Sequence, residues 1–227
     1  MKTKLSLVLL IVLHSVGLSL AQKITQPSQR NSSVGVYLET VTHDARGNLW
    51  VGGSVWLLQG LLLRINSAGV KVITPAKIKI VQRLVFTSRR VGWMIADYRN
   101  LYSSIDGGNR WRKVLTNPDS NLQDISFVGN LSGWIVGWGG VIYHTDDGGR
   151  LWRKQTSGTD IDLNQVVFVD RLHGWGMGWN MLDMTTRTWP PVLLSTNDGG
   201  ASWKNIGNEN LSLRSIAFVK RKMDGEL

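Results

Sequence analysis

Gly-Trp occurs at Gly92-Trp93, Gly133-Trp134 and Gly174-Trp175, each 41 residues after the last, and this recurrence restricts the fold more than any other feature. Phe86, Phe127 and Phe168 precede the dipeptides with the same step. Segments 104–111, 145–152 and 196–203 follow them and share the form S/T-x-D-x-G-x-x-W. A repeat of about 40 residues is one supersecondary unit that buries its apolar face by stacking on its neighbours. Segments 123–128, 133–137, 141–145 and 152–155 are short, β-branched or aromatic, and separated by turn residues. They predict four antiparallel strands per repeat, A to D, with the aspartate segment in the C–D hairpin. The expected fold class is therefore all-β, a β-propeller of four-stranded antiparallel blades.

The aspartate segment reads as turn chemistry. Asp106, Asp147 and Asp198 are placed to accept hydrogen bonds from backbone N–H groups just beyond them. Gly108, Gly149 and Gly200 supply backbone freedom, and the hydroxyls of Ser104, Thr145 and Thr196 close the turn. Trp111, Trp152 and Trp203 then open strand D and cover the hairpin. One dependable carboxylate per turn falls short of the six to eight oxygens of a Ca²⁺ cage. Neither a metal nor a cofactor is expected.

The ends are less regular. Residues 1–21 combine Lys2 and Lys4, an apolar run and Ser19-Leu20-Ala21, which is the pattern of a cleaved export signal. Residues 22–36 read as a linker or closing segment, and 37–227 as blades: 37–79 degenerate, then 80–120, 121–162, 163–212 and a partial 213–227. About four blades and one strand are thus expected, as part of a larger propeller. In the degenerate blade the C–D turn falls at Asn66-Ser67-Ala68-Gly69. The chain has no cysteine, which excludes disulfides and thiol chemistry. Its net charge of +10 favours an acidic or membrane-associated protein surface as partner. Export argues against nucleic acid, and a small-molecule substrate is disfavoured.

Binding candidates come from loop lengths and repeated charge. A ten-residue insertion falls in one B–C loop, at 180–191, and carries Asp183, Arg187 and Trp189. Arg99 belongs to the B–C loop of an earlier blade, so these four residues are candidates for one partner-binding face. Arg112 and Arg153 recur on successive D strands and predict a basic band. Catalytic candidates are sparse: Asp97, Asp124, Asp160, Asp162, Asp170 and Asp183 lie outside the turns without visible pairing, whereas glycoside cleavage normally needs two opposed carboxylates. His144 reads as a packed residue, and His173 shares a loop with Asp170.

The S/T-x-D-x-G-x-x-W segments, each with F-x(5)-G-W upstream, resemble the Asp-box (bacterial neuraminidase repeat) superfamily. Within it the chain is most similar to the photosystem II stability/assembly factor family, over residues 80–220 and more weakly 37–73. That resemblance implies a seven-bladed propeller acting as an exported, non-catalytic assembly factor that binds membrane-protein subunits partly through arginine-rich surface. The sialidase branch implies an Arg-Ile-Pro segment, and Arg64-Ile65-Asn66 does not supply it. Two readings follow: a protein-binding module, or a fragment of an Asp-box glycoside hydrolase that relies on Asp97, Asp183 or residues beyond Leu227.

Overall fold

The computed structural model describes residues 35–55, 59–73, 77–115, 118, 120–179, 191–207 and 215–216. The first sheet comprises β1 (Val36–His43), β2 (Leu49–Val55), β3 (Gln59–Asn66) and β4 (Gly69–Val72). The second comprises β5 (Val81–Phe86), β6 (Gly92–Ala96), β7 (Asn100–Ser104) and β8 (Arg112–Leu115). The third comprises β9 (Leu122–Val128), β10 (Ser132–Gly137), β11 (Ile142–Thr145) and β12 (Arg153–Gln155). The fourth comprises β13 (Leu163–Phe168), β14 (Gly174–Trp179), β15 (Pro191–Thr196) and β16 (Lys204–Asn205). In every sheet the strands neighbour one another in chain order, so each is a four-stranded meander. The fold is a β-propeller of antiparallel blades, as the repeat predicts. Asn66 pairs with Gly69 across the first blade's two-residue C–D turn.

The described residues divide into two compact units. One holds those up to Asp97 together with Ser103–Arg112, and the other holds Tyr98–Tyr102 together with those from Lys113 onward. Strands β6 and β10 are buried along their whole length, because a blade's second strand is covered on both faces. Each A–B strand pair carries a register shift. At two of these bulges, a side chain in place of Gly137 or Gly178 would collide with the carbonyl of Asn121 or Asp162.

In the second unit the three sequence markers meet between blades. Trp134 of β10 stacks on Phe168 of β13, with ring centroids 3.5 Å apart and planes 8° from parallel. Its indole N–H donates to the carbonyl of Gly199, in the next blade's aspartate turn, at 2.9 Å. Phe168 in turn meets Trp203 edge-on at 5.8 Å. Val136, Ile142, Leu163, Val166, Val192 and Leu194 complete this core. The inner strands are joined as well: Val166 N–H donates to Asp124 Oδ2, and Phe168 N–H to Ser126 Oγ. Gln165 repeats that link one step on, bonding both the N–H and the carbonyl of Ile216.

The first unit uses the same latch. Trp50 of β2 lies 4.9 Å from Phe86 of β5, and Phe86 meets Trp111 at 6.1 Å. A side chain at Gly108 would strike the Trp50 ring. The second-strand tryptophan of one blade, Trp50 or Trp134, is thus held by the Phe and the aspartate turn of the next, with the closing Trp packed behind that Phe.

Candidate functional site

The aspartate turns are closed systems. Ser104 Oγ accepts the Gly108 N–H at 2.8 Å and donates to Asp106 Oδ1 at 2.9 Å. Asp106 Oδ1 also accepts the N–H groups of Asn109 and Arg110, both at 3.0 Å. Thr145 with Asp147, and Thr196 with Asp198, reproduce the hydroxyl bonds to Gly149 and Gly200. Hydrogen bonds from the Ser202 side chain and backbone, then from Thr196, hold the Asp198 carboxyl at about 2. These carboxylates serve their own turns. Among the described residues no group of three or more His, Asp or Glu side chains is gathered as metal ligands would be.

On the turn edge of the first unit, arginines collect around segment 105–110. Arg64 Nη1 donates to Asn109 Oδ1 at 3.0 Å, and its guanidinium lies 5.8 Å from the Trp50 ring centroid. Arg90 Nε donates to the Ile105 carbonyl at 3.2 Å. The Arg46 guanidinium lies beside Gly107, and Arg89 and Arg110 are exposed on the same edge. Asp44 and Asp106, the acids of the adjoining turns, are bonded within those turns and leave the cluster with more arginines than carboxylates. Asp44 is buried and accepts from Arg46 N–H, Asn48 N–H, Asn48 Nδ2 and Trp50 Nε1. Burial pushes its carboxyl up, but those bonds outweigh it and the net shift is downward. Asp106 is held low by the same balance of burial against turn hydrogen bonds.

The second unit has different chemistry on its turn edge. Gly107 N–H bonds the Arg90 carbonyl, Gly148 N–H that of Leu131, and Gly199 N–H that of Leu172. These three residues therefore hold one structural position, occupied by arginine in one unit and leucine in the other. Leu151 likewise stands where Arg110 stands, as the second N–H donor to its turn aspartate. Beside Leu172, Asp170 accepts from Leu172 N–H, His173 N–H and His173 Nδ1. The backbone N–H of His173, its ring and Leu172 N–H hold the Asp170 carboxyl at about 2.

The opposite edge carries the B–C loops. Arg99 is exposed there and donates to the Pro118 carbonyl at 3.0 Å. Asp97 Oδ1 accepts Lys79 N–H and Ile80 N–H, and Asp162 Oδ1 accepts Gly139 N–H. Exposed Trp138 stands beside a cleft of about 450 Å³ lined by residues 139–141 and 154–159. Asp183, Arg187 and Trp189 lie outside the described residues. Arg112 begins β8 and is exposed, and Arg153 on β12 pairs with Asp146 at 3.3 Å. Arg99 sits in a loop and Arg153 on an outer strand, so these two candidates do not meet. The arginine cluster escaped the sequence reading because its members come from different turns of two blades. Aligning the variable positions at the repeat step, alongside the constant ones, would have exposed the change from Arg90 to Leu131 and Leu172.

His144 packs as expected. Its ring stacks on Trp134 at 4.9 Å, and burial lowers its pKa.

The sequence profile of the photosynthesis system II assembly factor YCF48 family matches residues 67–225, more than half of the chain. The chain belongs to this family. A solved structure of YCF48 bound to D1 peptide is 18% identical with a TM-score of 0.45, over 80% of this chain and 45% of that one. The chain thus spans less than half the length of that YCF48 structure. The extracellular domain of a putative hybrid two-component system from B. thetaiotaomicron matches with a TM-score of 0.54 at 13% identity, over 80% of this chain and 27% of that one. A GH74 xyloglucanase from Xanthomonas campestris matches with a TM-score of 0.50 at 15% identity, over 76% of this chain and 30% of that one. At such identities the last two show a shared propeller fold and nothing finer. No curated protein matches the chain.

Proposed function

We propose that this YCF48-family chain is an exported, non-catalytic binding module whose first unit docks an acidic segment of a partner protein. The observation that carries the reading is the arginine cluster around 105–110, with Asp44 and Asp106 saturated by their own turns. Guanidinium groups held by only one or two bonds keep donors for a carboxylate, which arginine recognises in a bidentate fashion. The family's designation as an assembly factor agrees with protein binding, and the leader pattern of residues 1–21 agrees with export. The glycosidase reading has less to stand on. Asp97, Asp124, Asp162 and Asp170 each accept backbone N–H groups, which suits turn and strand closure better than proton transfer.

The test is a fluorescence-anisotropy titration with a labelled glutamate-rich peptide. Arg46→Glu combined with Arg90→Glu is expected to weaken binding at least about tenfold, with an affinity that falls steeply with salt. Arg187→Glu with Trp189→Ala probes the B–C loop, and loss of binding there alone would move the site to the opposite edge. Absence of peptide binding by the unaltered chain would sink the proposal.

A further inference from the structure

The first blade buries one of its faces without a described neighbour. Its strand pairing puts Val51, Leu63 and Val72 on one side of the sheet, and Trp50, Arg64 and Lys71 on the other. The Trp50 side meets β5 of the next blade. On the opposite side Val51, Val55, Leu61 and Leu63 are exposed by only 2%, 3%, 2% and 1%. Yet they cluster with residues of their own sheet alone, Val36, Leu49 and Ile65. An apolar sheet face is hidden this fully only when another element packs on it, so its occupant comes from outside the described residues.

The exposure pattern gives the width of that occupant. On the flanking strands of the same face, Leu38 and Val41 of β1 and Val70 and Val72 of β4 are 41%, 66%, 37% and 48% exposed. A neighbouring blade would cover all four strands. Strands lie about 4.8 Å apart and a helix is about 10 Å across, so one helix hides β2 and β3 and leaves the flanks open. The face also lacks the parts that grip a preceding blade. His43 pairs with Leu49 where Phe86, Phe127 and Phe168 pair with Gly92, Gly133 and Gly174. Its two-residue C–D turn carries no aspartate and no closing tryptophan.

Length, charge and connectivity select the segment. Residues 1–34 lie outside the described residues and lead directly into β1. Their stretch 5–20 has no Lys, Arg, Asp or Glu, and neither have the paired positions of this face. As a helix that stretch is about 24 Å long, and the seven residues of β2 run about 23 Å. Residues 21–35 give ample slack for it to fold back. At the other end of the chain, Ile216 is held by Gln165 in the second unit. We infer that residues 5–20 dock as a helix over β2 and β3 on the outer face of the first blade, so that the leader caps this blade for as long as it is attached. Cleavage after Ala21 would then uncover an apolar sheet face.

Cross-linking in the full chain tests this, because the chain has no cysteine of its own. In buffer without detergent, Leu10→Cys paired with Val72→Cys should link within one chain through a short bismaleimide. Leu10→Cys with Lys71→Cys is the control, since Lys71 is exposed beside Val72 but on the other side of the sheet. A docked leader should make the first pair link at least about tenfold faster than the second. Adding Leu9→Asp and Leu13→Asp to the first pair should remove that advantage, because unpaired carboxylates do not bury in an aliphatic face. All these changes fall on exposed positions or in the leader, so the blades keep their core. Equal rates for the two pairs, an advantage that survives the aspartates, or links only between chains would each overturn the inference, the last by assigning the face to a second copy. Glutamate-peptide binding uses the turn edge around Arg46 and Arg90, so the two proposals fail separately.

Discussion

Thr145 shows how one side chain governs a turn. Its side chain is fully buried, and Oγ1 accepts the Gly149 N–H at 2.9 Å while donating to Asp147 at 2.8 Å. Thr145→Val keeps the shape and leaves the half-buried Gly149 N–H without its hydroxyl, so it should cost about 1 kcal/mol. Calorimetry should show the melting temperature falling by several degrees, and an unchanged melt would mean the hydroxyl is dispensable. Glycine makes a sharper comparison. Gly47 and Gly108 have almost the same φ, +81° and +80°, yet Gly47 has open space where a side chain would go, whereas Gly108 faces the Trp50 ring. Gly47→Ala should cost only the left-handed strain, about 1–2 kcal/mol. Gly108→Ala should cost more, and equal losses in urea melts would show that the Trp50 contact is slack.

Between blades, the unit of stability is the Trp–Phe–Trp latch. Replacing Trp134 and Phe168 by Leu, singly and together, should yield a coupling energy of about 0.5–1.5 kcal/mol beyond additive losses. Additivity in that cycle would show that the 3.5 Å stack is incidental to the junction. This latch is also why the fold was legible in the sequence. Phe168 touches both Trp134 and Trp203, so the three markers serve one junction and recur together at one spacing. The site was far less legible. Arg46, Arg64, Arg90 and Arg110 occupy positions that the framework leaves free, and a search for constant residues passes over them. Asp44 was hidden for another reason: it serves the A–B turn of the first blade, where no repeat marker stands, and its bond to Trp50 spans six residues of otherwise ordinary sequence.

For the molecule as a whole, the aspartates make stability depend on acid in a predictable direction. Asp170 and Asp198 are held at about 2, and Asp44, Asp106 and Asp147 below their ordinary 3.8. A carboxylate whose folded pKa is depressed stabilises the fold fully above its unfolded value and loses that contribution as pH falls toward the folded one. The carboxylates alone should therefore keep the melting temperature level between about pH 5 and 7 and make it fall steeply from about pH 4 to 2. His144 acts earlier and more gently. Its burial depresses an imidazole pKa that is 6.5 when free, so protonation below that value disfavours the folded state. Salt separates the causes. The leading downward effects on Asp170 and Asp198 are hydrogen bonds at close range, with His173 and Ser202, and not distant charges. Short hydrogen bonds are screened far less than surface Coulomb attractions, so the acid arm should persist in about 1 M salt. If Asp198→Asn leaves the slope below pH 4 unchanged, or high salt abolishes it, the acid sensitivity comes from net charge repulsion of this basic chain and not from its turns.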